Sequence, residues 1–223
     1  MSEPDTALRV LIADDHPAMR DGLARAIAQE SNMTVVGMVA DGVEAVNQFS
    51  ALRPDVVLMD LQMPRRNGLQ AIAEIRAICP DACLVVLTSF AGDARVSRAL
   101  ELGAASYILK TSRTETIVAT LRSACNGRTV LGSDVSHDLE QHRGMEPLSP
   151  REVSVLRLVA AGRHNRSIGE RLNISEQTVK SRIKNILAKL NAHDRSHAVA
   201  LAMKRGFLDP WNGSAGTAAT TER

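Results

Sequence analysis

Aromatic side chains are scarce, with three Phe, one Tyr and one Trp among 223 residues. The front half holds only Phe49, Phe90 and Tyr107, too few to line a pocket for a small amphiphilic ligand. Cysteine is limited to Cys79, Cys83 and Cys125, an odd count without metal-ligand spacing. Ordinary thiols in a reducing compartment are expected there, rather than disulfides or a zinc site. No apolar run approaches the ~20 residues that span a bilayer. The opening "MSEPDTALRV" is acidic and polar, unlike a signal peptide, so a cytoplasmic location without membrane contact is expected. No P-loop glycine pattern occurs.

Charge is present but unevenly placed. Residues 1–124 carry 12 Lys and Arg against 15 Asp and Glu, whereas residues 148–208 carry 12 against 4. A slightly acidic front joined to a basic rear suggests that the rear meets a polyanion.

The front alternates between two patterns. "LRVLIADD", "MTVVGMVA", "DVVLMD", "CLVVLTS" and "ASYILK" are short Val, Ile and Leu runs that predict strands. Between them, helices are expected over Pro17–Glu30, Gly42–Leu52, Gly68–Cys79, Asp93–Leu102 and Arg113–Asn126. Five strands alternating with five helices imply right-handed crossovers and a parallel sheet covered on both faces. Periodicity then fails from Asn126 to Pro147, which predicts a linker, with a short helix around Val135–Gln141. Four more helical stretches follow, and the tail 209–223 is expected to be disordered.

In an open parallel sheet, sites form beyond the carboxyl ends of the strands. Asp14 and Asp15 follow the first strand there, Asp60 the third, Thr88 the fourth and Lys110 the fifth. "VVLMDLQMP" shows the pattern most sharply: four apolar residues run directly into the Asp60 carboxylate. Each residue alone has a plain alternative, such as a helix start, a cap or a solvated strand end. Three crowded carboxylates raise one another's pKa unless a cation neutralises them. Oxygen ligands without His or Cys point to magnesium rather than zinc. A metal, a lysine and a hydroxyl around one nucleophilic carboxylate form an electrostatic clamp for phosphoryl transfer, giving an aspartyl-phosphate.

"LIADDHP", "VVLMDLQMPRRNG", "LTS" and "GAASYILK" resemble the receiver domain of two-component response regulators. The resemblance covers about Leu8 to Ala124 and implies a flavodoxin-like (CheY-like) fold with strand order 2-1-3-4-5. It further implies Asp60 as phosphoacceptor, with Asp14, Asp15, Asp60 and the Gln62 main-chain carbonyl around Mg2+. Thr88 and Lys110 would bind phosphoryl oxygens, and Tyr107 would be the switch aromatic. Two positions depart from the usual pattern: Thr111, where many receivers carry proline, and Ser106, where glycine is common.

In "SEQTVKSRIKNILAKL", a helical wheel puts Val179, Ile183, Ile186, Leu187 and Leu190 in one apolar arc. Gln177, Lys180, Ser181 and Lys184 lie opposite. A short helix, a turn at "LNIS" and a basic helix follow the helix-turn-helix plan. The stretch from about Leu148 to Leu208 resembles the LuxR-type module of the NarL/FixJ family, a small all-α domain of four helices. By that resemblance Lys180, Ser181 and Lys184 face base edges, while Asn165, Arg166, Thr178, Arg182 and Asn185 hold the DNA backbone. Val199 and Ala202 resemble the family's dimer seam, with packing inside the four-helix unit as the alternative. Arg182 and Gly169 stand where the family often has histidine and alanine.

The expected organisation is a receiver over 7–125, a linker over 126–147 and a DNA-binding domain over 148–208. The resemblance implies a sensor histidine kinase, double-stranded DNA with paired half-sites and RNA polymerase as partners, and a homodimer on phosphorylation. Chemistry beyond self-phosphorylation and autodephosphorylation is not expected, so the chain is not read as an enzyme. A ligand-gated LuxR-type regulator, a phosphate-processing enzyme and a phosphate-independent receiver are weaker alternatives.

Overall fold

A computed structural model describes residues 7–89, 92–142 and 144–208, apart from the Asp138 side chain. The tail 209–223, expected to be disordered, lies outside the described residues, as does Phe90. The described residues form two compact units, one of 7–89 with 96–140 and one of 92–95 with 141–208.

The first unit alternates strands and helices: β1 (Leu8–Ala13), α1 (Pro17–Ile27), β2 (Met33–Val39), α2 (Gly42–Leu52), β3 (Val56–Asp60), α3 (Gly68–Ile78), β4 (Cys83–Thr88), α4 (Asp93–Glu101), β5 (Ser106–Leu109) and α5 (Thr114–Cys125). All pairings are parallel and the order is β2-β1-β3-β4-β5, the CheY-like arrangement. Successive residues of each central strand feed opposite cores. Leu11, Val57, Met59, Leu84 and Val86 pack with Phe49, Ile72 and Ile75 on one face. Val10, Ile12, Val56, Leu58, Val85 and Leu87 pack with Leu23, Ile27, Ile117 and Leu121 on the other. Two-sided burial accounts for the unbroken apolar runs.

Residues expected to act as a linker contribute to this first unit. The Tyr107 amide donates to the Val130 carbonyl at 3.2 Å, and the Gly132 amide to the Tyr107 carbonyl at 3.0 Å, extending the sheet past β5. Ser106, where glycine is common, helps hold this segment: its Oγ accepts from the Val130 amide at 3.0 Å. Helix α6 (Ser133–Gln141) then buries Val135 in the same core, with Leu131 and Leu139 packed beside it. No cis peptide bond occurs among the described residues.

The second unit holds α7 (Pro150–Ala160), α8 (Asn165–Leu172), α9 (Glu176–Leu190) and α10 (Arg195–Arg205). Its core includes Val155, Leu156, Ile168, Val179, Ile186 and Ala198. A capping box of Ser149 and Glu152 starts α7, and Asn173 in the left-handed conformation ends α8. Gly169 lies tightly against the turn that follows: a Cβ there would meet the Ile174 carbonyl oxygen at 2.7 Å, so the alanine common in the family would need that turn to shift. No helix among the described residues is long and apolar enough to cross a membrane.

Candidate functional site

The register of the parallel sheet brings the ends of β1, β3, β4 and β5 to one rim. The loop that leaves β3 is held tightly there. Asn67 and Gln70 form a capping box at the start of α3, and the Gly68 amide donates to the Leu61 carbonyl at 3.0 Å. A Cβ on Gly68 would stand 2.1 Å from the Asp60 carbonyl oxygen, so only glycine lets α3 begin this close to the strand end.

Asp60 does not stand exposed at the mouth of its strand: it is 2% accessible, as buried as the apolar residues before it. Its Oδ1 accepts from the Gln62 amide at 3.1 Å, while Lys110 Nζ lies 2.7 Å from its Oδ2. The same ammonium lies 2.7 Å from Asp14 Oδ2. The Asp14 Oδ1 accepts from the His16 amide at 2.8 Å. Burial pushes the Asp60 carboxyl above the ordinary carboxylate value; Lys110 and the Gln62 amide oppose that push, and the Asp14 charge adds to it. Burial alone would depress the Lys110 pKa, but its bonds to Asp14 and Asp60 prevail and raise it.

Ligand atoms of Asp14, Asp15, His16 and Asp60 all lie within 4.8 Å of one another. The three carboxylates are a hard-oxygen set suited to magnesium. His16, which directly follows Asp14-Asp15, adds a nitrogen to the oxygen-only set that the sequence predicts; its Nδ1 lies 2.6 Å from Asp15 Oδ1. Thr88 Oγ1, at the end of β4, is buried with no hydrogen-bond partner among the described residues. A buried hydroxyl left unpaired is costly, and a ligand oxygen would satisfy it. Tyr107 is fully buried in the sheet core next to β4.

On α9, Val179, Ile186 and Leu190 are buried, and Ile183 and Leu187 pack partly against the same core. Lys180, Ser181, Lys184 and Asn185 are exposed, as are Gln177 and, on α8, Arg166. Thr178, Arg182 and Asn165 are half-buried. Ser175 Oγ caps α9 by accepting from the Thr178 amide at 3.0 Å, and it lies 2.7 Å from the Thr178 hydroxyl. Lys180 pairs with Glu176 at 2.9 Å and Arg166 with Glu170 at 3.1 Å, both across one exposed helical turn. Such pairs are weak enough to yield to a phosphate or base. Of the two dimer candidates, only Ala202 conflicts with the packing observed. Ala202 is fully buried in the module's own core and has no surface to offer a second copy; Val199 is half-buried beside it.

Comparison with known proteins follows the same division. The family model described as response regulator receiver domain matches residues 10–122. That of bacterial regulatory proteins of the luxR family matches residues 146–202. The transcriptional regulatory protein LiaR of Bacillus subtilis is 40% identical over 210 residues, covering 91% of this chain and 100% of LiaR. VraR of Staphylococcus epidermidis is 35% identical over 207 residues, covering 91% and 99%. Among solved structures, RcsB from Salmonella enterica serovar Typhimurium, bound to promoter DNA with the phosphomimetic BeF3−, superposes with a TM-score of 0.71. It is 29% identical, with 89% of this chain and 99% of that one covered.

Proposed function

This chain belongs to the NarL/FixJ family of two-component response regulators, and from that premise we propose that a phosphoryl group carried on Asp60 controls how its LuxR-type domain engages promoter DNA. The observation that carries the reading is Lys110 Nζ at 2.7 Å from Asp60 Oδ2, beside the unpartnered Thr88 Oγ1.

Lys110 and Thr88 are arranged to receive the oxygens of a phosphoryl group. The ammonium, raised in pKa by its two carboxylate partners, remains charged through the physiological range and offsets incoming negative charge. The Thr88 hydroxyl supplies a neutral donor that no other described group engages. Mg2+ held by Asp14, Asp15, Asp60 and the Gln62 carbonyl would supply further positive charge to the phosphoryl oxygens. Phosphorylation adds about −1.5 to −2 charges to a rim already holding three carboxylates. Thr88 moves toward the new group and Tyr107 packs into the space vacated, reshaping the face around Asp93–Leu102 and Lys110.

In this reading a sensor histidine kinase is the phosphodonor, and autodephosphorylation times the signal; the protein is otherwise not an enzyme. Phosphorylated dimers bind paired half-sites on double-stranded DNA and contact RNA polymerase, in the cytoplasm. Lys180, Ser181 and Lys184 face base edges in the major groove, and Asn165, Arg166, Thr178, Arg182 and Asn185 hold backbone phosphates.

The test is phosphoryl uptake from a small acyl phosphate with Mg2+, read by intact mass, together with DNA affinity and solution mass with and without beryllium fluoride. The native chain gains one phosphoryl group and Asp60→Asn gains none, while beryllium fluoride tightens DNA binding and doubles the mass. Equal uptake by Asp60→Asn, or affinity and mass unmoved by beryllium fluoride, would sink the reading.

A further inference from the structure

Cys83 and Cys125 lie far apart in sequence but meet at the end of the sheet opposite the carboxylate rim. Cys83 opens β4 and pairs across to Val56, at the start of β3. Five residue steps of strand, about 16 Å, separate it from Thr88 at the rim. Cys125 is the last residue of α5. Their sulfurs are 3.7 Å apart, at positions 42 apart in sequence, and both are packed against the core shared by α1, α5 and the sheet. Each is half-buried, so solvent reaches both. Cys79 is also a free thiol but packs against the core on the other face of the sheet.

We propose that Cys83 and Cys125 form a redox-active thiol pair, which a hydroperoxide converts to a disulfide tying β4 to the end of α5. Their surroundings divide the roles. The Cys125 thiol donates to Cys83 Sγ and lowers the Cys83 pKa, against the opposing effect of burial and with help from the Arg76 guanidinium. Cys125 is pushed the other way, first by that same bond, then by burial and by the charges of Cys83 and Asp55. With the Arg76 cation acting on Cys83 and the Asp55 carboxylate on Cys125, the proposal makes Cys83 the attacking thiol and Cys125 the one that resolves it.

In the first step Cys83 Sγ attacks an oxygen of the hydroperoxide. An S–O bond forms, the O–O bond breaks, and the departing alkoxide or hydroxide takes up a proton, leaving Cys83 as a sulfenic acid. Cys125 Sγ then attacks Cys83 Sγ. The S–S bond forms, the S–O bond breaks, and hydroxide leaves with the Cys125 proton as water. Two thiols and one hydroperoxide give one disulfide, one alcohol (or water) and one water. The sulfurs must close from 3.7 Å to about 2.05 Å for the bond to form. None of this chemistry depends on the phosphoryl reading of the rim.

The test treats the full-length, unphosphorylated chain with hydrogen peroxide and maps its peptides without reductant. A peptide pair joined through Cys83 and Cys125 is expected, lost on adding dithiothreitol. In Cys125→Ser, a dimedone adduct is expected on Cys83. In Cys83→Ser, labelling of Cys125 should be at least tenfold weaker. Circular dichroism of each variant, matched to the native spectrum, secures the comparison. The proposal is overturned if peroxide leaves both thiols of the native chain open to alkylation, or joins either of them to Cys79 instead.

Discussion

Lys110 Nζ lies 2.7 Å from Asp60 Oδ2, a buried ammonium against a buried carboxylate. Since the same ammonium also contacts Asp14, its removal leaves two buried carboxylates facing each other. Lys110→Met should therefore destabilise the receiver at neutral pH by about 3 kcal/mol, the scale of breaking a buried pair. The sign with pH follows from Asp60. Its folded pKa is already raised and rises further without the lysine. A raised carboxyl contributes stability that is present below its unfolded value of about 4 and lost as pH rises through the folded value. Urea unfolding should show the variant well behind the native chain at pH 7 and close to it at pH 4. A constant gap across that range would mean the lysine acts through packing alone.

Gly68 is a second test of how the rim is built. Its absent Cβ would collide with the Asp60 main-chain oxygen, a backbone atom that cannot rotate aside. Gly68→Ala should cost about 2 kcal/mol or more and displace the loop that presents Gln62 to Asp60. Phosphoryl uptake should slow at the same time. A variant with native stability and native uptake would show that α3 can start elsewhere.

Much of this arrangement could be read from sequence because the strands are buried on both faces. Continuous Val, Ile and Leu runs ending in Asp14, Asp60, Thr88 or Lys110 locate both the sheet and its carboxylate-bearing edge. Helix starts were legible where a cap was chemically explicit, as at Asp41-Gly42 and Asn67-Gly68. Three features left weaker signals. His16 reads as the residue before a helix-starting proline, and only the fold reveals its distance to Asp15. Leu131, Val135 and Leu139 recur every four residues, but in a stretch otherwise polar enough to suggest a free linker. Ala202 is small and apolar on an amphipathic helix, a description that fits an internal seam as well as an external one. Packing decides such cases, and packing is non-local.

On the second unit, Lys184 and Arg166 separate specificity from affinity. Both are exposed on neighbouring helices, and the reading assigns Lys184 to a base edge and Arg166 to a phosphate. Lys184→Ala should reduce discrimination between the target site and altered sites by about 1–3 kcal/mol while largely sparing non-specific binding. Arg166→Ala should weaken binding to all sequences alike and lower the slope of log affinity against log salt by about 1. Fluorescence anisotropy on a target duplex and a scrambled one, over a salt series, measures both. If the two variants exchange behaviours, the face assignments are reversed.

Glu152 offers a pH test confined to the second unit. Its carboxylate accepts from the Ser149 amide at 2.8 Å and from the Ser149 hydroxyl at 2.9 Å, closing the capping box of α7. The Lys189 ammonium near the end of α9 lies 2.9 Å away, so one buried acid fastens the start of one helix to the end of another. Burial acts to raise the Glu152 pKa, but the Lys189 and Ser149 bonds outweigh it and the net shift is downward. A lowered carboxyl contributes stability that is present above its unfolded value of about 4.3 and lost as pH falls through the folded one. Glu152→Gln keeps the shape but weakens the cap, and should cost about 1 kcal/mol at pH 7. The difference should shrink on acidification, because the native glutamate is then neutral as well. Thermal unfolding of both proteins between pH 7 and pH 3 checks this. A difference that grows toward low pH would place the stabilising charge elsewhere than on Glu152.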